Sequence, residues 1–161
     1  MPTRISQDAT RPHPSKRLAF SVQIASNAAG VPPSRKLRHW AREALNGQAR
    51  VTVRIVGMRE GRALNHRYRG RDYATNVLTF TYAKAPVLCG DIALCAPIIR
   101  REAHSQAKEL EAHYAHLLVH GMLHLQGHDH RLKRDAARME AREVAVLKRL
   151  GYDNPYTPSP A

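Results

Sequence analysis

The chain has 161 residues, 26 of them Lys or Arg and 13 Asp or Glu, which leaves a formal net charge of +13. That length suits one domain whose core buries on the order of two thirds of the surface of the unfolded chain. No run approaches the roughly 18 apolar residues of a membrane span, and the first residues, with Pro2, Pro12 and Pro14, have no apolar stretch to act as a secretory signal. A soluble, unexported, cytoplasmic protein is expected. Residues 1–16 and 153–161 mix Pro with polar residues without periodicity, so both ends are expected to be disordered tails around a single domain over 17–152.

Leu18, Phe20, Val22 and Ile24 alternate with polar or small residues, which predicts a half-buried strand. Ser34 is placed to cap a helix that buries Leu37, Trp40, Ala41, Ala44 and Leu45 and ends at Gly47. Val51, Val53 and Ile55 predict a second strand. After Gly57 comes a short helix with Ala63 and Leu64, then a polar, Arg-rich loop from Asn65 to Thr75. Asn76 to Tyr82 and Val87 to Cys95, the latter kinked at Gly90, predict strands three and four. Cys89 and Cys95, about 20 Å apart along an extended segment, are expected to stay unpaired. Pro97 opens a helix. Residues 109–126 form a helix apolar on more than one face, hence buried, and a last helix from about Arg131 to Leu150 turns Met139, Val146, Leu147 and Leu150 inward. The expected fold is α+β: a small mixed sheet of about four strands packed with about five helices.

Seven of the 10 histidines lie between His104 and His130. His113, His116, His120 and His124 recur every three or four residues and share one helix face. Gly127 offers an exit, and His130 follows. His120-x3-His124-x5-His130 has metal-ligand logic. Two imidazoles one turn apart reach one ion, and a third on a returning chain completes a tripod that leaves the fourth position of Zn²⁺ open to water. An open position points to catalysis rather than scaffolding. His116, one turn before His120, is read as a supporting or packing residue. Asp129 either orients a ligand imidazole or caps the last helix. His104, His113 and His128 are read as packing or surface residues. The zinc proteases with H-E-x-x-H-x-x-G-x-x-H share the spacing, but position 121 is Gly, so the general base of a peptidase is missing. Gly121 is expected to serve close packing or to leave room for a large substrate.

The segment His120-Gly-Met-Leu-His-Leu-Gln-Gly-His-Asp-His130 resembles the YbeY family of metal-dependent endoribonucleases. Tyr68-Arg-Gly-Arg-Asp72, Thr75-Asn-Val-Leu-Thr-Phe80 and Gly90-Asp-Ile92 resemble further motifs of that family in the same order. The resemblance implies one zinc ion per chain on His120, His124 and His130, and Arg69 as the important arginine of the cleft. Arg71 and Asn76 would join Arg69 on the substrate side. It also implies a single-strand-directed endoribonuclease acting on ribosomal RNA and ribosomal particles, in 16S rRNA 3′-end processing and ribosome quality control, with no DNA or membrane partner. The family usually has an aromatic residue where His128 stands, which leaves a fourth imidazole ligand open.

Catalysis would then rest on a zinc-bound water of pKa about 7 and on Arg69, whose planar fork matches phosphate. Attack by water and attack by a 2′-hydroxyl both remain open. Two other readings stand beside it: a non-catalytic zinc-containing ribosome assembly or RNA-binding factor, and a zinc hydrolase of another class, such as a peptidase.

Overall fold

Period-two alternation in the strands becomes two faces of one sheet in the computed structural model, which describes residues 16–128 and 131–157. The elements in chain order are β1 (Arg17–Ile24), α1 (Ser34–Ala44), β2 (Gln48–Val56), α2 (Met58–Arg69), β3 (Val77–Ala83), β4 (Leu88–Cys95), α3 (Ala96–Ser105), α4 (Leu110–Leu125) and α5 (Lys133–Leu150). The strands form one sheet in the order β1-β2-β4-β3. β1, β2 and β4 are parallel, while β3 lies antiparallel on β4 at an edge. This is the expected α+β fold.

In β2, Val51, Val53 and Ile55 are fully buried against α1, α4 and α5, whereas Thr52 and Arg54 point to the opposite face. α4 lies at the centre of that core. Tyr114, Leu118, Met122, Leu123 and Leu125 are almost wholly excluded from water, each side chain contributing about 1.5–3 kcal/mol relative to exposure. Trp40 of α1 meets Tyr152 edge-on at 5.9 Å and closes the layer behind α5. The opposite face is covered at one end, where Leu64 of α2 and Ala74 pack on Val56, Cys95 and Ile98. No helix among the described residues is long and apolar enough to cross a membrane.

Several boundaries differ from expectation. α2 does not stop near Leu64 but runs to Arg69, where Gly70 adopts a left-handed conformation (φ 68°) that ends the helix. Asn65 explains the extension: it is buried on the helix, and its Nδ2 donates to the Tyr73 carbonyl 2.7 Å away, so this polar residue anchors the following loop from within α2. Ser34 is the first helical residue of α1 and Pro33 its cap, with no side-chain capping bond; the helix ends at Ala44, three residues before Gly47. The C-terminal boundary also moves. Residues 153–157 are not a tail: Lys108 Nζ donates to the Pro155 carbonyl at 3.0 Å, and Tyr156 reaches back to α5. Residues 1–15 and 158–161 lie outside the described residues.

Two glycines bring layers together. A Cβ on Gly121 would sit 3.3 Å from the Ile92 methyl groups and 3.4 Å from Thr79 Cγ2, so the helix lies directly on β3 and β4. Close packing, rather than substrate room, accounts for that glycine. A Cβ on Gly90 would meet Leu125 Cδ2 and the Phe80 carbonyl oxygen at 2.8 Å, so this position needs the space.

Candidate active site

Helical periodicity places His116, His120 and His124 on successive turns of α4, with ring centroids 6.4 Å apart for the first pair and 5.7 Å for the second. His120 and His124 open into a cleft of about 340 Å³. Arg69, Arg71, Asn76, Asn65 and Thr79 line the same cleft. Five of the residues singled out from the sequence thus come together from α2, the loop after it, the start of β3 and α4. Asp129 and His130 lie outside the described residues. Among the described residues no three His, Cys, Asp or Glu side chains gather in a metal-binding group; His120 and His124 are the two positioned to contribute to one.

The residue that sequence reasoning missed is Glu143. Its side chain is 0 % exposed and comes from α5. It accepts hydrogen bonds from His120 Nδ1 and Tyr156 Oη, and one at 3.3 Å from His116 Nε2. Burial pushes the carboxyl group's pKa up, but the three donors outweigh it and hold the value down to about 2, so Glu143 is an anion at neutral pH. An imidazole whose Nδ1 donates to a carboxylate presents Nε2 as its ligand nitrogen, which is how outer carboxylates fix the tautomer of metal-binding histidines. His116 also touches the Tyr156 hydroxyl at 3.3 Å and packs edge-on against its ring, at 5.4 Å. His116 thus shares the Glu143 carboxylate with His120 one turn further on. The signal for Glu143 was in the sequence: it sits on the stripe Met139, Glu143, Val146, Leu147 at helical spacing, a carboxylate where an apolar residue belongs.

Around this centre the other polar groups have defined partners. His113 is buried and its Nε2 lies 3.0 Å from Glu102 Oε1; burial pulls its pKa down against the pull of that carboxylate, as suits a packing histidine. Asn76 donates Nδ2 to both Glu102 oxygens, at 3.0 and 3.3 Å, and its Oδ1 accepts from Val77 N at 2.7 Å. Its amide is engaged in holding β3 to α3, although the residue lines the cleft. Arg69 is exposed at the end of α2 and donates from Nη2 to the Thr79 carbonyl at 3.3 Å, which carries its guanidinium across the β3 edge. Arg71 Nη1 donates to Tyr73 Oη at 3.0 Å. His128 faces a separate groove of about 600 Å³ with Asn46, Gln126 and Arg142.

Residues 23–151 match the YbeY family, described as Endoribonuclease YbeY. The chain is 57% identical over 145 residues to a protein of Aromatoleum aromaticum named Endoribonuclease YbeY, covering 88% of this chain and 94% of that one. It is 55% identical over 143 residues to the protein of the same name from Methylibium petroleiphilum, covering 89% and 95%. The solution structure of TM1509 from Thermotoga maritima shares the fold, with a TM-score of 0.51 at 24% identity over 84% of this chain and 99% of that one. With a match that runs from the end of β1 through the histidine helix and Glu143, the chain belongs to the YbeY family.

Proposed function

We propose that the protein is a metal-dependent, single-strand-directed endoribonuclease of the cytoplasm that acts on ribosomal RNA, at the 3′ end of 16S rRNA and in the quality control of ribosomal particles. The observation that carries the metal-dependent hydrolase reading is the ordered pair of imidazoles, with Glu143 fixing the His120 tautomer, in one cleft with Arg69. The names of the relatives supply the RNA class.

His120, His124 and His130 are the proposed zinc ligands; neutral imidazoles suit that ion and leave it an open position. When bound, zinc supplies Lewis acidity toward a phosphoryl oxygen and acidifies a water. The chain's own residues do the rest. Glu143 holds His120 in one orientation and offsets charge delivered to the imidazole. Arg69 grips a phosphate oxygen and matches the charge that builds on phosphorus oxygens during cleavage. Arg71 adds a second cation along the backbone path. Gly121 argues against a peptidase, because its Cβ space is filled by Ile92 and Thr79 and no carboxylate stands there.

The test compares cleavage of a single-stranded RNA by the zinc-loaded protein, the chelated protein and His124→Ala. Cleavage by the loaded wild type alone is expected. Equal cleavage in all three overturns the proposal, since it would come from a contaminating nuclease. RNA bound but left intact by the loaded protein makes it a non-catalytic RNA-binding factor.

A further inference from the structure

The sheet face turned away from α4 carries a second cleft, of about 660 Å³, larger than the one at the histidines. Tyr68 of α2 and Phe80 and Tyr82 of β3 supply its aromatic lining, and Gln23, Thr52 and Arg54 its polar floor. Tyr82 is 68% exposed and Tyr68 54%, an unusual exposure for side chains of that size. They are nevertheless held. Tyr68 meets Phe80 edge-on at 5.0 Å. Tyr82 lies where the β3–β4 register shifts between Thr81 and Ala83, and its Oη donates to Asp91 Oδ2 at 2.6 Å, so the ring is pinned on the open face. Rings already ordered lose little conformational entropy when a flat ligand stacks on them.

The cations beside the aromatics are Arg50 and Arg69. Strand pairing sets Arg50 and Arg54 on this face, but Arg54 is paired with Glu60 at 2.6 Å and Asp91 accepts from Tyr82, so of these three arginines Arg50 and Arg69 are the ones without a carboxylate partner among the described residues. The two clefts meet at one residue. Arg69 lines both, and β3, the edge strand, turns Thr79 toward α4 and Phe80 toward the open face. A chain lying on the sheet reaches the histidines by crossing that edge under Arg69.

We propose that the open sheet face is a base-stacking platform for single-stranded RNA, with Tyr68, Phe80 and Tyr82 receiving unpaired bases and Arg69 guiding the backbone over β3 into the histidine cleft. A four-stranded sheet with exposed aromatics is a general solution to sequence-tolerant single-strand binding. The ligand class rests on the RNA reading above; the stacking does not require cleavage.

The experiment measures fluorescence anisotropy with the full-length, chelated protein, which separates binding from chemistry. Its probes are a labelled single-stranded RNA of about eight nucleotides, an abasic strand of the same length, and an RNA duplex. Tyr82→Ala and Tyr68→Ala should each weaken binding of the base-bearing strand about tenfold. Binding of the abasic strand should already be weak and should not change with either variant. Tyr82→Trp, which keeps a ring and loses the phenol, should restore binding. Thermal unfolding monitors the fold of each variant. The proposal is overturned if both alanine variants bind the base-bearing strand like wild type, if the abasic strand weakens equally with them, if the duplex binds as tightly as the single strand, or if the chelated wild type binds none of the probes. Stacking without cleavage by the zinc-loaded protein would refute the nuclease and keep the platform; cleavage with ring-independent binding would do the reverse.

Discussion

Glu143 is the position where one substitution should separate stability from metal affinity. The carboxylate is fully buried and is the shared acceptor of three donors on two parts of the chain: His120 and His116 of α4, and Tyr156 beyond α5. Glu143→Ala leaves those donors facing a void. Each buried donor without a partner costs about 1–3 kcal/mol, and since the three are coupled their sum overshoots. A net loss of about 3–5 kcal/mol, the range for removing one member of a buried charged pair, is the expected value. Glu143→Gln keeps the volume but sets an NH₂ against N–H and O–H donors, and about 2 kcal/mol of loss is expected. Urea unfolding followed by circular dichroism in the presence of chelator reads these numbers. Zinc competition against a chromogenic chelator reads the second effect. Without its carboxylate partner, His120 can take the wrong tautomer or rotate, and a 10- to 100-fold loss of zinc affinity is expected in the folded Gln variant. Tyr156→Phe removes one donor and keeps the anion, so it should lower affinity by less than Glu143→Gln does. A Gln variant with wild-type zinc affinity and an unchanged unfolding midpoint refutes the orienting role.

Two further outcomes test the fold around the site. Gly90→Ala should destabilise the protein by about 1–3 kcal/mol in urea unfolding, because its Cβ would stand 2.8 Å from the Phe80 carbonyl, a backbone atom that cannot rotate away; a neutral result would mean that β3 is free to shift. Glu111 accepts from Lys36 Nζ and from Tyr152 Oη at 3.0 Å, and chiefly the Lys36 ammonium holds its pKa below the usual carboxylate value. A depressed pKa stabilises the fold above the unfolded value of about 4.3 and loses that contribution as pH falls through the lowered folded value. Glu111→Gln should therefore be less stable than wild type at pH 7, by at most about 1 kcal/mol since both partners are over two-fifths exposed. The gap should narrow below pH about 4, and a constant gap down to pH about 2 would contradict the linkage.

Much of the fold was legible because burial leaves a periodic trace. The alternation Val51, Val53, Ile55 and the two apolar stripes of the histidine helix named their elements without further help. α2 extends beyond its expected end for a physical reason. Its last turn, Asn65-His-Arg-Tyr-Arg69, is polar because it borders a cleft, and the periodicity that marks a buried helix face fades there. The one buried residue of that turn is Asn65, whose task is a hydrogen bond to a loop carbonyl eight residues on, which no local pattern announces. The segment 153–157 differs from expectation for a similar reason. Prolines suggested a tail, yet the order of this segment comes from long-range bonds to Lys108 and Glu143.

The site divides along the same line. His120 and His124 could be found from spacing alone, because both sit on one helix and the helix sets their separation. Glu143 lies 23 residues further along the chain, and its role exists only once α5 packs against α4. Asp129, which the sequence offers either as an orienting residue or as a helix cap, lies outside the described residues, whereas the carboxylate bonded to His120 stands across a helix interface. The exception on an apolar stripe is the better guide. A Glu between Met139 and Val146 costs too much to bury without partners, so the partners had to be found among groups able to donate on the facing helix, and the only such side chains that α4 repeats at helical spacing are its histidines. By that reasoning the orienting residue of a metal helix is to be sought on the neighbour it packs against, at the position where the neighbour's core pattern is broken.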